Sequence, residues 1–260
     1  MKDNLLETSS KDGVWTVRMN RPEARNAISY DLMRQLTETA LRLQDEAGVR
    51  AVILTGAGNH FCAGVDLKEP KRHHAGSLGL AERRALSAAG GRLSRAWEEI
   101  PAMTVCAIEG HCIGGGAALA VATDFRVIGE SAWFWLPEIA IGIPLGWGAV
   151  PRLVSLLGPA RAKRFIILCD KIGGQEAVDF GLAEYLVPDG EAYNSAVGLA
   201  QRIAGLPETS VRMSKETINA IANAFAPLAS HMVADQHALA AASDEAVAAR
   251  ERFAARRKTR

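Results

Sequence analysis

The feature that most constrains this chain is a run of three glycines, Gly114, Gly115 and Gly116, placed between two apolar stretches. Residues 103–108, Met-Thr-Val-Cys-Ala-Ile, read as a buried strand, and residues 119–122, Leu-Ala-Val-Ala, as a buried helix. Consecutive glycines let the backbone bend sharply and leave no side chain above the turn. A ligand can then reach the N–H groups left unpaired where the following helix begins. Such a turn holds an anion, or an oxygen that becomes one during a reaction, without a charged residue. The plainer alternative is that the glycines only let strand and helix pack closely.

The rest of the chain narrows the class. At 260 residues it fits one large domain or a core with an appendage. The 48% hydrophobic content suits a globular protein with a sizeable core. No run approaches the ~18 apolar residues of a membrane span, and residues 1–7 carry no hydrophobic signal core. A net charge of +1 gives no general drive toward nucleic acid or membranes. Cys62, Cys106, Cys112 and Cys169 have no CxxC spacing, which points to a reduced, cytoplasmic protein without zinc.

Along the chain, residues 14–19 and 51–55 read as strands and residues 29–47 as an amphipathic helix. Residues 70–79 are polar and basic and suggest a mobile loop. Residues 80–100 read as one long helix. After Pro151 the pattern is helical, over residues 160–168, 175–180, 193–204, 208–224, 228–242 and 244–257. Strand–helix alternation followed by helices predicts an α/β core with a helical C-terminal region.

Several motifs fail on inspection. The Gly56-Ala57-Gly58 turn follows a strand, but its third glycine would fall on Phe61, and no acidic residue stands in the expected place downstream, so a dinucleotide site is not supported. There is no phosphate loop and no GxSxG elbow. His60, His73 and His74 lie in polar stretches and read as solvated.

What remains is an ordered set of segments: Asn20-Arg21-Pro22 with Asn26-Ala27, then residues 61–67 (Phe-Cys-Ala-Gly-Val-Asp-Leu) and residues 109–124. Residues 136–144 (Leu-Pro-Glu-Ile-Ala-Ile-Gly-Ile-Pro), Ala177 with Gly181-Leu182-Ala183, and Lys215 complete it. Together they resemble the crotonase superfamily, the enoyl-CoA hydratase/isomerase family, over nearly the whole chain. The resemblance implies a crotonase fold, a spiral of ββα units over residues 1–200, with a helical trimerisation region over 201–260. It implies an acyl-CoA thioester substrate, a homotrimer or dimer of trimers, no cofactor beyond the substrate's CoA, no metal, and no nucleic-acid or membrane partner.

The resemblance also assigns roles. The thioester carbonyl would sit between the N–H groups of Ala63 and Gly115, with Gly64, Asp66, Leu67, Gly114 and Ala118 around it. Proton loss beside a thioester drives charge onto that oxygen, and each fixed donor is worth about 3–4 kcal/mol. A helix starting at Gly115 would add its dipole. Arg25 would meet CoA phosphate and Phe253 would cover the adenine. The cations Arg250, Arg252, Arg256, Arg257, Lys258 and Arg260 would lie near them or form a solvated helix end.

One departure carries the reaction assignment. Hydratases of this family have a glutamate two residues after the triple glycine and a second in the Pro-Glu motif. The second is Glu138; at the first stands Ala118. A single carboxylate still suffices to take a proton from one carbon of an enoyl thioester and return it to another. Isomerisation with Glu138 as the catalytic acid and base is therefore expected, with hydration or plain acyl-CoA binding as alternatives. Trp133, Phe134, Trp135 and Trp147 crowd this segment; if they line the pocket they exclude water and raise the Glu138 pKa.

Overall fold

The computed structural model describes residues 4–69 and 79–258, with side chains described through residue 255. The loop expected over 70–79, with His73 and His74, lies outside the described residues apart from Gly79, as do the side chains of Arg256, Arg257, Lys258 and Arg260.

The main sheet has six strands: β1 (Leu6–Lys11), β2 (Val14–Met19), β3 (Ala51–Gly56), β4 (Met103–Ile108), β6 (Phe125–Gly129) and β9 (Tyr185–Val187). They lie in the order β1-β2-β3-β4-β6-β9, antiparallel at β1–β2 and parallel elsewhere. A second sheet joins β5 (His111–Ile113), β7 (Trp133–Trp135) and β8 (Ile172–Gly173). Because side chains alternate across a strand, Val52, Leu54, Cys106 and Ile108 enter one core while Ala51, Ile53, Val105 and Ala107 enter another. The first core is closed by α1 (Tyr30–Asp45), α3 (Ala89–Glu98) and α4 (Gly115–Ala120). The second is closed by α7 (Ala192–Ala204), whose Ala192, Ala196, Ala200 and Ile203 form its buried stripe. Ser29 caps α1, its hydroxyl accepting from the N–H of Leu32 at 3.2 Å.

Several expected elements change. β1 escapes the sequence because Leu6 alone of its residues is buried, so no alternation marks it. The expected helix over 80–100 divides into α2 (Leu80–Ser87) and α3 at Ala88. The helix expected at 160–168 begins earlier, as α5 (Ala149–Ile167), and is broken at Gly158, whose φ of 71° and ψ of 164° precede Pro159. After β8 come α6 (Gly174–Phe180), β9 and α7; then α8 (Glu208–Ala222), α9 (Ala226–Ser230), α10 (Val233–Ala241) and α11 (Asp244–Lys258). The single helix expected over 228–242 is thus split. Lys215 of α8 is 6% exposed and ties this region to the sheet: its Nζ lies 2.6 Å from Asp124 Oδ2 and 2.9 Å from the carbonyl of Ala102. Among the described residues no helix is long and apolar enough to cross a membrane.

Candidate active site

Two glycine turns meet at the junction of the sheets. The first is prepared by a polar knot after β2. Asn26, fully buried, accepts from the N–H of Arg21 and donates to the carbonyls of Ala57 and His60. Arg21 reaches Asp66 at 3.0 Å and also donates to the carbonyl of Ala27. Asp66, expected to line the substrate site, is therefore spent on the scaffold and does not line the cavity. It fixes the turn, its Oδ1 also accepting from the N–H of Lys68.

The knot sets the backbone of residues 62–66. The N–H of Cys62 pairs with His111 and that of Ile113 with Cys62, stitching the turn to β5. The N–H of Ala63 donates to the carbonyl of Arg25 at 2.9 Å. Ala63 is thus not an available oxyanion donor, contrary to expectation. Val65 is bridged to Ile28 through the flanking bonds Ile28 to Gly64 and Asp66 to Ile28, and its own N–H makes no hydrogen bond among the described residues. In a bridged segment the N–H of the paired residue points to the other side, here to the cavity that Val65 lines. Backbone donors carry no residue signature, so the sequence offered no way to choose 65 over 63 beyond counting this alternation.

The second turn supplies Gly115, whose N–H likewise has no partner among the described residues. Gly114 holds φ 50° and ψ −115°, a conformation closed to other residues. Gly64, at φ 87°, brings the first turn so close that a Cβ on it would lie 2.9 Å from the carbonyl of Ile113 and 3.8 Å from the nitrogen of Gly115. The helix that follows, α4, has six residues, so the cradle rests on aimed N–H groups more than on a long dipole.

Glu138 sits against this cradle. A Cβ on Gly114 would lie 2.7 Å from Glu138 Oε1. The other carboxylate oxygen, Oε2, is shut from solvent and has no hydrogen-bond partner among the described residues. Burial pushes its pKa up to about 7, against the weaker opposing pull of a backbone hydrogen bond. A carboxyl at that value gives and takes protons near neutral pH with little driving force lost. Ala118, 1% exposed, lines the same cavity and brings no second carboxylate.

The cavity, about 1880 Å³, is walled by Trp133, Trp135 and Trp147, whereas Phe134 is wholly in the core. Trp135 donates Nε1–H to the carbonyl of Cys169 at 2.8 Å and stacks on Phe253 at 6.0 Å. Lys171 lies 4.0 Å above Trp133, which meets His111 at 4.7 Å. His60, expected to be solvated, instead stacks on His111 at 3.9 Å. Burial lowers both histidines, His111 to about 4, with nearby Arg25 lowering each further. Among the described residues no group of three or more His, Cys, Asp or Glu could hold a metal ion.

The chain as a whole has counterparts among known proteins. The sequence profile described as enoyl-CoA hydratase/isomerase matches residues 9–260. The chain belongs to that family, within the crotonase superfamily. The short-chain-enoyl-CoA hydratase of Clostridium acetobutylicum is 33% identical to it over 216 residues, covering 83% of this chain and 80% of that protein. The crystal structure of an enoyl-CoA hydratase from Bacillus anthracis matches with a TM-score of 0.77 at 34% identity, over 83% of this chain and 82% of that one. An enoyl-CoA hydratase/isomerase from Mycobacterium paratuberculosis covers 95% of this chain and 98% of its own with a TM-score of 0.86; at 24% identity it speaks for the fold alone. The fold is the crotonase fold.

An enzyme of the enoyl-CoA hydratase/isomerase family acts on an acyl-CoA. Of the expected site residues, Arg25, Ala63, Gly64, Leu67, Gly114, Gly115, Ala118, Trp135, Glu138 and Phe253 all line the one cavity. Arg25 and Arg250 are exposed cations on its wall, suited to phosphate. Phe253 already stacks on Trp135 of its own chain, which leaves one ring face for a ligand.

Proposed function

We propose that this enzyme isomerises enoyl-CoA thioesters by proton transfer through Glu138. The thioester oxygen is held by the N–H groups of Val65 and Gly115. Glu138 removes a proton from C2 of a 3-enoyl thioester, and the negative charge spreads as a dienolate onto the carbonyl oxygen. The same carboxyl then returns the proton to C4, which leaves the 2-enoyl thioester and restores the carboxylate. No further cofactor enters this balance. The observation that carries the reading is the buried Glu138 carboxyl beside the cradle, its Oε2 without a hydrogen-bond partner among the described residues, with a methyl group at position 118.

Hydration is the second reading, favoured by the hydratase named among the relatives. Purified protein offered 3-enoyl-CoA and 2-enoyl-CoA separates them. Fast conversion of the first with slow hydration of the second supports isomerisation; fast hydration of the second sinks it; turnover of neither leaves a binding protein. The same reading brings association into trimers or dimers of trimers. Exposed Ile218, Ile221, Phe225 and Leu228 on α8, the loop after it and α9 suit burial against a second copy. Light scattering on the purified protein checks it, and a monomer at micromolar concentration overturns it.

A further inference from the structure

Trp147 holds a conformation that bulky residues rarely adopt. Its φ is 61°, and Gly148 follows at 68°. A brace from distant parts of the chain holds this turn. Arg152 Nη1 donates to the carbonyl of Gly148 at 2.9 Å and of Trp147 at 3.3 Å. The same guanidinium grips Glu98 with two contacts of 2.7 Å, and Asn223 donates to Glu98 at 3.1 Å. Glu98 ends α3, whose first turn carries Gly90. One network thus ties the strained turn to the helix on which the indole rests. Strain that the surroundings maintain marks a side chain placed for use.

The indole lies in a slot made of absent side chains. A Cβ on Gly90 would come within 2.0 Å of its Nε1 and Cε2, and one on Gly115 within 2.7 Å of its Cη2. Ala118 follows Gly115 by three residues, on the same face of α4. A longer side chain at 118 leans back toward Gly115, where the ring already fills the space a Cβ would take. A water poised across the site from Glu138 would need that same volume.

We infer that Trp147 fills the place of a second carboxylate and its water, so that the site moves protons between substrate carbons and keeps water from adding. Hydration places a hydroxyl on C3 and a proton on C2 of a 2-enoyl thioester; isomerisation only carries a proton from C2 to C4. Trp147 selects the second by occupying the volume the first requires. The inference deepens the isomerase reading and rests on it.

Hydration of 2-enoyl-CoA by four proteins tests it: the wild type, Ala118→Glu, Trp147→Gly and the double variant. The double variant is expected to exceed the wild type and each single variant by at least about tenfold. An Ala118→Glu protein as fast as the double overturns the inference, and so does a folded double variant with no gain. Should the double variant fail to fold, Trp147→Ala decides. With a saturated acyl-CoA in D2O, its exchange of the C2 proton is expected to run at least about tenfold faster than in the wild type, because solvent now reaches Glu138. An unchanged rate overturns the inference. Exchange needs only enolate formation, so it is read independently of isomerase turnover. Failure of the isomerase reading appears instead in the wild type, as no conversion of 3-enoyl-CoA.

Discussion

The two sides of the cleft are built on opposite plans. The cradle side presents backbone: two N–H groups, Val65 and Gly115, on turns stitched by the Cys62–Cys112 and Ile28–Val65 bridges. The opposite side presents side chains, Glu138 and Trp147, on a segment whose regular structure is one short 3-10 turn, Ile139–Ile141. Backbone donors change little when residues change, so a cradle of this kind serves any reaction that passes through a thioester enolate. Under the proposed function, Glu138, Trp147 and position 118 are where a substitution would redirect the chemistry. On the proposed reading the cradle holds the intermediate and the side chains decide its fate.

Glu138→Gln breaks the side-chain half alone. It keeps the shape and removes the proton acceptor, so turnover of 3-enoyl-CoA should fall by about 10²–10⁴-fold. Affinity for a CoA thioester, measured by calorimetry, should stay within a few-fold, because the cradle is untouched. Loss of affinity matching the loss of turnover would mean that the two halves are not separable.

Lys215→Met attacks the cradle from behind. Asp124 follows α4, and its Oδ2 accepts from the N–H and hydroxyl of Thr104 on β4 as well as from Lys215. Removing the ammonium leaves a carboxylate only 13% exposed without its charge partner. Such unpairing costs about 3–5 kcal/mol, measurable by denaturant unfolding. Asp124→Asn added to Lys215→Met should recover part of it; no recovery would show that Lys215 acts by packing alone.

The cradle was the legible half. The triple glycine, the Asn26 segment and the Pro-Glu segment each carry a local signal, and their order gave the fold and the cleft. Strands β2, β3 and β4 were legible from their mostly apolar residues, whereas β1, with Leu6 alone to bury, β6, interrupted by Arg126, and the three-residue β9 were not. The error at Ala63 has a physical origin: which N–H is free depends on the Arg25 carbonyl and the Ile28 bridge, neither visible in the residue types. Asp66 failed likewise, since its partner Arg21 is 45 positions away. Trp147 was legible as an aromatic near Glu138; its seat between Gly90 and Gly115 comes only from the packing of α3 on α4.

The raised pKa of Glu138 gives a further separation, in stability rather than rate. Its folded value of about 7 exceeds the 4.5 of an unperturbed glutamate, so the folded state favours the neutral carboxyl. Below pH ~4.5 both states carry the proton and no cost of keeping the carboxyl un-ionised arises. Between the two values the cost grows as pH rises, and above pH ~7 it reaches about 3 kcal/mol. Glu138→Gln should therefore melt with the wild type near pH 4.5 and several degrees above it at pH 8. Parallel melting curves at all pH values would mean that the carboxyl is solvated in the free enzyme.

Gly114→Ala probes the point where the halves touch, with the smallest expected cost to stability. An alanine forced to φ 50° and ψ −115°, backbone space that belongs to glycine, stores about 1–3 kcal/mol of strain. The added methyl also points at Glu138 Oε1, 2.7 Å away, with no open space between them. The methyl and the carboxylate must part, and the carboxylate is the end of a flexible side chain, so it yields before the cradle does. Melting should then drop by a few degrees while turnover falls by tenfold or more, because the proton acceptor is displaced from the carbon it serves. Backbone strain alone would lower stability and leave turnover per folded molecule unchanged. The ratio of the two losses therefore reads how closely the base is seated on its cradle.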